Sequence, residues 1–335
     1  MTLTLANKTA FVTGGAGFVG SAVVRALLQQ GCAVRALLRQ PTLPPNLHGL
    51  DIEPIHADLL SCDYQKALRG CHAVFHVAAD YRLWAKDPHQ LYRTNVDGTR
   101  RLMLACLQAN IERIVYTSSV ATLGNVPGGA ADEETPVTYD AMIGDYKKSK
   151  FLAESVVAQL ALSESLPVVI TNPSAPIGPR DIRPTPTGRM IVEAAAGRVP
   201  VYVDSGLNVV HVDDVAEGHL LAYKKGTLGR RYILGGDNLR LKAIFHTAAK
   251  LNGKRPPLMP IPRAPLVPFA YLSEFIAQWR KDGYEPLLTV SGIKLAKKRM
   301  FFSSKRAQKE LDYQPKPAHT AIQDAVTWFK ENGYL

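Results

Sequence analysis

No window of the chain comes near the roughly 18 consecutive apolar residues that a membrane-spanning helix needs, so such a helix is excluded. Cysteine is scarce. Cys32, Cys62, Cys71 and Cys106 form no CxxC pair and have no histidine pair nearby, which argues against a zinc site or a disulfide framework. They read as buried thiols of a reducing, cytoplasmic compartment. Met1 to Thr13 lacks a basic segment, an apolar run and a small-residue cleavage site in succession, so it reads as a first strand rather than a signal peptide. Internal repeats and low-complexity tracts are absent. Metal-ligand spacing is absent too: His211, Asp213 and Asp214 stand at a helix start, where Asp213 is the expected cap and His211 a structural residue. Carboxylates that close in sequence do not make a glycosidase pair either.

What is present is ordinary for a soluble globular protein: 335 residues, 46% hydrophobic and 21% charged. That length suits one large or two modest domains and buries a core without a disulfide or metal. The net charge of +11 is compatible with nucleic acid, an anionic membrane surface or an anionic ligand. Outside Lys147–Lys150 and Lys294–Arg299 the basic residues are scattered, and no nucleic-acid motif accompanies them. Solvated faces and a phosphate-bearing ligand are therefore expected, without a nucleic-acid partner.

The first half alternates strand and helix. Apolar runs at Thr9–Val12, Ala33–Leu38, Ala73–Ala78, Arg113–Thr117 and Pro167–Thr171 are separated by helical patterns such as Gly20–Gln30, Pro88–Ala109 and Tyr146–Leu162. Continuous apolar strands between helices predict an α/β fold, a parallel sheet covered on both faces. Proline then becomes dense, with five in 172–186 and six in 256–268, so these stretches are neither helix nor central strand. Arg230–Gly236 reads as one late strand of the same sheet. The expected division is a dinucleotide-binding part, 1–175 with return segments at about 208–236, interleaved with a smaller substrate part, 176–207 and 237–335. Helices of the latter are expected at Leu241–Leu251, Phe269–Gln278, Ser303–Leu311 and Thr320–Asn332.

Strand 1 runs into Thr13-Gly14-Gly15-Ala16-Gly17-Phe18-Val19-Gly20 and a helix. Glycines at 14, 17 and 20 suit a pyrophosphate: a tight turn, close backbone approach, and close packing of helix on strand. The helix N-terminus then offers N–H groups and a positive dipole end to the anion. At the end of strand 2 the chain reads Arg35-Ala36-Leu37-Leu38-Arg39-Gln40, with no carboxylate to hold both ribose hydroxyls of NAD. NADP is the favoured cofactor over NAD, with Arg39 and a second candidate, Arg35, on the 2′-phosphate.

Tyr146 and Lys150 lie four apart on one helix face. A free phenol has a pKa of about 10, and a neighbouring ammonium favours the phenolate. Ser118 and Ser119 end a sheet strand at its carboxyl edge, where α/β enzymes place reacting groups.

With these pieces in place, the chain resembles the extended short-chain dehydrogenase/reductase family of nucleotide-sugar epimerases, dehydratases and dihydroflavonol-type reductases, which implies a Rossmann sheet. The matching segments are TGGAGFVG at 13–20, ADLL at 57–60, HVAA at 76–79, NVDGT at 95–99, TSSVATLG at 117–124, YKKSK at 146–150, NPSAPIGP at 172–179 and HVDDVA at 211–216. The resemblance implies that Tyr146 transfers the proton, Lys150 holds the nicotinamide ribose and lowers the Tyr146 pKa, and Ser119 positions the reacting oxygen. It places Asp58 and Leu59 about the adenine. Val77, Ala78, Ala79, Thr117 and Ser118 would lie beside the cofactor, as would Pro173 and Ser174, with Asn95 steadying the sheet nearby. Leu123 departs from the tyrosine of many sugar epimerases. Segments 80–88, 181–189 and 297–317 are most similar to the subgroup called hopanoid-associated sugar epimerase.

Candidate substrate contacts are Asp80, Tyr81, Arg82 and Trp84 after strand 4, then Ser119, Asn172, Thr185, Thr187 and Arg189. The expected substrate is a sugar-like polyol or carbonyl compound with an apolar flank, hopanoid-linked by the resemblance. Net hydride transfer is the leading reading. A sugar epimerase without net redox change and a non-catalytic dinucleotide sensor are the alternatives. The apolar stretch Pro265–Trp279 is expected to be buried in the substrate part or between subunits of a homodimer; resting on an anionic membrane surface at the inner face, or admitting a lipid-like substrate, is the other reading.

Overall fold

The computed structural model describes residues 3–82, 84–279, 286 and 289–335. Met1, at the start of the first expected segment, and Leu83, within the 80–84 loop, lie outside them. In chain order the strands are β1 (Thr9–Thr13), β2 (Ala33–Leu38), β3 (Ile52–His56), β4 (Ala73–His76), β5 (Arg113–Thr117), β6 (Val168–Pro173), β7 (Ala175–Ile177), β8 (Val201–Tyr202), β9 (Gly206–His211), β10 (Arg231–Leu234), β11 (Asp237–Arg240) and β12 (Met259–Pro260). The helices are α1 (Phe18–Gln29), α2 (Tyr64–Ala67), α3 (Pro88–Tyr92), α4 (Gly98–Gln108), α5 (Asp145–Ser163), α6 (Pro186–Ala195), α7 (Val212–Lys225), α8 (Leu241–Leu251), α9 (Leu266–Trp279), α10 (Val290–Leu295), α11 (Lys305–Leu311) and α12 (Ala318–Glu331).

Seven strands pair in parallel in the order β10-β6-β5-β4-β1-β2-β3, a Rossmann-like sheet whose direction of winding reverses between β1 and β4. Side chains of one strand alternate between two cores. Val12, Phe75 and Val115 face the layer of α1 and α7, whereas Phe11, Val74, Ile114 and Tyr116 face that of α4 and α5. Burial on both faces is why these strands read as unbroken apolar runs. The late strand β10 joins this sheet beside β6 in parallel, as expected from its sequence. A smaller sheet, β11-β9-β7, packs with α6, α8 and α12 around a third core that includes Ile191, Phe245 and Phe329.

Three expectations need correction. Strand β3 was not anticipated, because Pro54 interrupts its pattern; it sits at the sheet edge, where a missing N–H is tolerated. The cap of α7 is His211 itself, whose Nδ1 accepts the Asp213 N–H at 3.0 Å, while Asp213 pairs with Arg180. Lastly, α9 is not buried within the chain: of its residues only Ala270 and Ala277 are, and its large side chains face outward.

Candidate active site

The glycine turn follows β1 directly. Gly14 has φ +71°, and a side chain there would meet the Ala78 backbone N at 2.6 Å; one at Gly20 would collide with the Gly14 carbonyl. Both positions thus need glycine for close approach. Gly17 N–H closes the turn on Gly14 C=O at 2.8 Å, and Asn46 steadies it by donating to the Ala16 carbonyl at 3.1 Å. Ala16 and Gly17 are exposed, Phe18 and Val19 half-buried. Helix α1 has Gly17 at its N-cap, so no side chain caps it, and it has no acid in its first turn, which suits an anion at its N-terminus. Beneath the turn, Ala78 N–H donates to Thr13 Oγ1 at 3.2 Å. The His76 ring is bound at both nitrogens, to Thr13 Oγ1 at 2.7 Å and Thr99 Oγ1 at 2.8 Å. Burial holds His76 neutral, its pKa pushed down to about 3. Val77 and Ala79 flank Ala78, half-buried at the carboxyl end of β4.

Arg39 stands exposed just past β2. Arg35 is committed elsewhere: its guanidinium donates to the Ala67 carbonyl at 2.7 Å and the Arg69 carbonyl at 3.0 Å, and pairs with Glu53 at 2.8 Å. Arg35 therefore drops out as a phosphate ligand. Asp58 caps its own turn by accepting Leu60 N–H at 3.0 Å, and Leu59 is buried against Gly98.

At the carboxyl edge of β5, Ser118 is buried and Ser119 begins a short turn, its Oγ accepting Ala121 N–H at 3.1 Å. Helix α5 brings Tyr146 against Ser119. Burial raises the phenol pKa and the Ser119 hydrogen bond lowers it, with burial the larger effect. Lys150 Nζ donates to the Thr117 carbonyl at 2.9 Å and to Tyr116 Oη at 3.2 Å. Its pKa is pushed down to about 8 by burial, against the pull of Glu154 one turn along the helix. The Thr117 hydroxyl is bound to His219 Nε2 at 2.8 Å. The structure thus brings Ser119, Tyr146 and Lys150 into one cluster beside the glycine turn, at the crevice where the strand order reverses.

Two supports were only partly visible in the sequence. Glu154 accepts the Thr122 hydroxyl and the Asn172 amide, each at 2.9 Å, and the same amide donates to the Ser119 carbonyl at 3.0 Å. The signal for Glu154 was its spacing, four residues after Lys150 on the inward face. Asn95, in a π-turn between α3 and α4, exchanges hydrogen bonds with the Asp80 backbone at 2.7 and 2.9 Å and donates to Ser149 Oγ at 2.9 Å. Such turns are frequent at functional sites, because they re-aim one side chain.

Several candidate contacts also brace the site's loops. Asn172 is fully buried; its NH2 donates to Glu154 and the Ser119 carbonyl, while its Oδ1 has no hydrogen-bond partner among the described residues. Thr185 caps α6, accepting Gly188 N–H at 3.1 Å and donating to Asp181 at 2.9 Å. Thr187 donates to the Pro176 carbonyl at 3.1 Å. These hydroxyls order the loop after β7. Arg189 is half-buried one turn into α6. Arg82 grips Asp80 through Nε at 2.9 and 3.1 Å; Tyr81 is exposed and Trp84 half-buried. Pro173 is buried at the end of β6, while Ser174 Oγ is buried without a hydrogen-bond partner in the protein. That orphaned hydroxyl and the uncapped α1 are what a dinucleotide lying across the strand ends would satisfy.

Residues 10–235 match the family described as NAD dependent epimerase/dehydratase. The chain is 42% identical over 330 residues to a protein of Synechocystis sp. named putative dihydroflavonol 4-reductase, covering 97% of this chain and 95% of that one. It is 33% identical over 328 residues to sterol demethylase protein B of Methylococcus capsulatus, covering 98% and 100%. The crystal structure of gox2253 matches with a TM-score of 0.86 at 48% identity, over 98% of this chain and 100% of that one.

Proposed function

We propose, from the premise that the chain belongs to the NAD-dependent epimerase/dehydratase family, that it is an NAD(P)-dependent reductase of a carbonyl carried on an apolar body. The observation that carries this reading is the Ser119–Tyr146–Lys150 cluster at the carboxyl edge of β5, with Lys150 Nζ held by the Thr117 carbonyl at 2.9 Å and the phenol neutral at ordinary pH. A neutral phenol is equipped to donate, which is what reduction asks of it. A bound nicotinamide would supply the hydride. Tyr146 Oη then gives its proton to the substrate oxygen, with Ser119 Oγ hydrogen-bonded to the same oxygen. The Lys150 ammonium, held by the Thr117 carbonyl, favours the phenolate left behind. Arg39 and the absence of a carboxylate in 35–40 support NADP over NAD. We assign the cofactor to residues 1–175 and 208–236, and the substrate to 176–207 and 237–335.

For the substrate, the names of the relatives include a reductase and a sterol-modifying protein, which supports an apolar body, a hopanoid-linked polyol or aldehyde being one instance. The test follows NADPH absorbance with aldehydes and ketones bearing long or truncated apolar tails. The proposal expects stoichiometric NADPH oxidation and a higher KM for the truncated members. Inversion of a sugar nucleotide without added nicotinamide, and without net absorbance change, would replace it with an epimerase.

A further inference from the structure

The outer face of α9 is inverted relative to the rule for surface helices. Its buried residues are two alanines, whereas Phe269, Tyr271, Leu272, Phe275, Ile276 and Trp279 are exposed, Phe269 by 63%, Phe275 by 58% and Trp279 by 76%. Phe269, Leu272, Phe275, Ile276 and Trp279 recur at helical spacing along one stripe, and the Phe275 and Trp279 rings are 6.2 Å apart. A contiguous apolar surface of this kind marks an interaction site.

We propose that this stripe seats the protein on an anionic phospholipid bilayer, lying in the headgroup boundary with its axis along the surface. Length decides between lying and crossing. A helix of 14 residues extends about 21 Å, short of the roughly 30 Å hydrocarbon core. Among the described residues no helix is long and apolar enough to cross a membrane.

Charge decides between lipid and a second copy of the chain. Helix α10 packs against α9 and carries exposed Lys294, with exposed Lys297 and Lys298 just beyond and half-buried Arg263 before α9. Glu274, the one acid of α9, is turned to the protein and accepts Val290 N–H at 2.8 Å. An apolar stripe with a cationic margin matches anionic headgroups. A two-fold pairing of the same face would set that margin against its own copy. Helix α10, packed against α9, also meets Gly144, the residue before α5, where a side chain would come 3.1 Å from Ser291 Oγ. Docking would thus bring the start of α5 toward the bilayer. This goes beyond the proposed reductase activity and is tested without it.

The experiment is co-sedimentation of the full chain with phosphatidylcholine vesicles, with and without phosphatidylglycerol, alongside Trp279 fluorescence and light scattering. Wild type should bind the anionic vesicles with a blue-shifted emission, and about tenfold or more less tightly to neutral ones. Lys294→Glu with Lys297→Glu should remove the preference for anionic lipid. Phe269→Ser with Phe275→Ser should abolish binding with an unchanged melting temperature, because both side chains are already in water. Tyr146→Phe should bind as wild type, which keeps a failure here separate from a failure of the reductase reading. Wild-type protein that ignores both vesicle types would overturn the proposal. So would a dimer that the two serine substitutions convert to monomer.

Discussion

Around Tyr146 most of the polar groups are inside and hydrogen-bonded, and the apolar strands beneath them are fully buried; along α9 the large apolar groups are outside and alanines are inside. The first region is organised by the protein's own hydrogen bonds, from Glu154 through Asn172 to the Ser119 carbonyl. The second has an apolar surface that its own chain leaves uncovered. A site for chemistry needs groups held in place, whereas a docking face keeps its contact area for a partner.

The most forceful way to break that comparison is truncation of one phenylalanine in each region. Phe75 is fully buried, its ring 5.9 Å from that of Tyr223, and Phe75→Ala should cost about 3–5 kcal/mol in urea unfolding. Phe275→Ser should change stability by less than about 0.5 kcal/mol. Equal losses would show that α9 is packed in solution.

A smaller effect tests the phosphate end of the ordered region. Arg39→Ala should weaken NADPH binding about ten- to a hundredfold and leave NADH nearly unchanged, the scale of one charge-assisted bond. Equal losses for both cofactors, read by fluorescence titration, would remove Arg39 from the 2′-phosphate.

The smallest effect is a proton balance confined to the buried region. His76 and His219 have pKa values pushed down to about 3 and about 4 by burial. Below about pH 6.5 the unfolded chain takes up protons that these folded rings refuse, so stability is lost as pH falls. Asp181, pushed up to about 6 by burial, acts in the opposite sense below that pH. Among these three groups one net proton remains, worth about 1.4 kcal/mol per pH unit between about pH 6 and 4, with Glu133, also raised by burial, opposing it toward the acid end. Urea unfolding across that range checks it, and His219→Gln should flatten the slope.

What the sequence disclosed follows the same division. The glycine turn and the Tyr146–Lys150 spacing are local patterns, each fixed within a strand-turn-helix or a single helical turn, and both were legible. So was the parallel sheet, because burial on both faces leaves unbroken apolar runs. Strand β3 was hidden by Pro54, which only an edge position excuses. The bracing roles of Thr185 and Asn172 were not legible, because a hydroxyl or amide near a crevice reads alike whether it faces ligand or braces a loop. Their partners, Asp181 and Glu154, are revealed only by folding. The exposure of α9 was equally invisible, since an apolar run does not say which medium it meets.

The most direct measurement is turnover and NADPH affinity of Tyr146→Phe, which keeps the ring and removes the transferable proton. The account predicts turnover at least about a hundredfold below wild type, with NADPH affinity within about threefold. Turnover at the wild-type rate would contradict it and place the proton donor elsewhere.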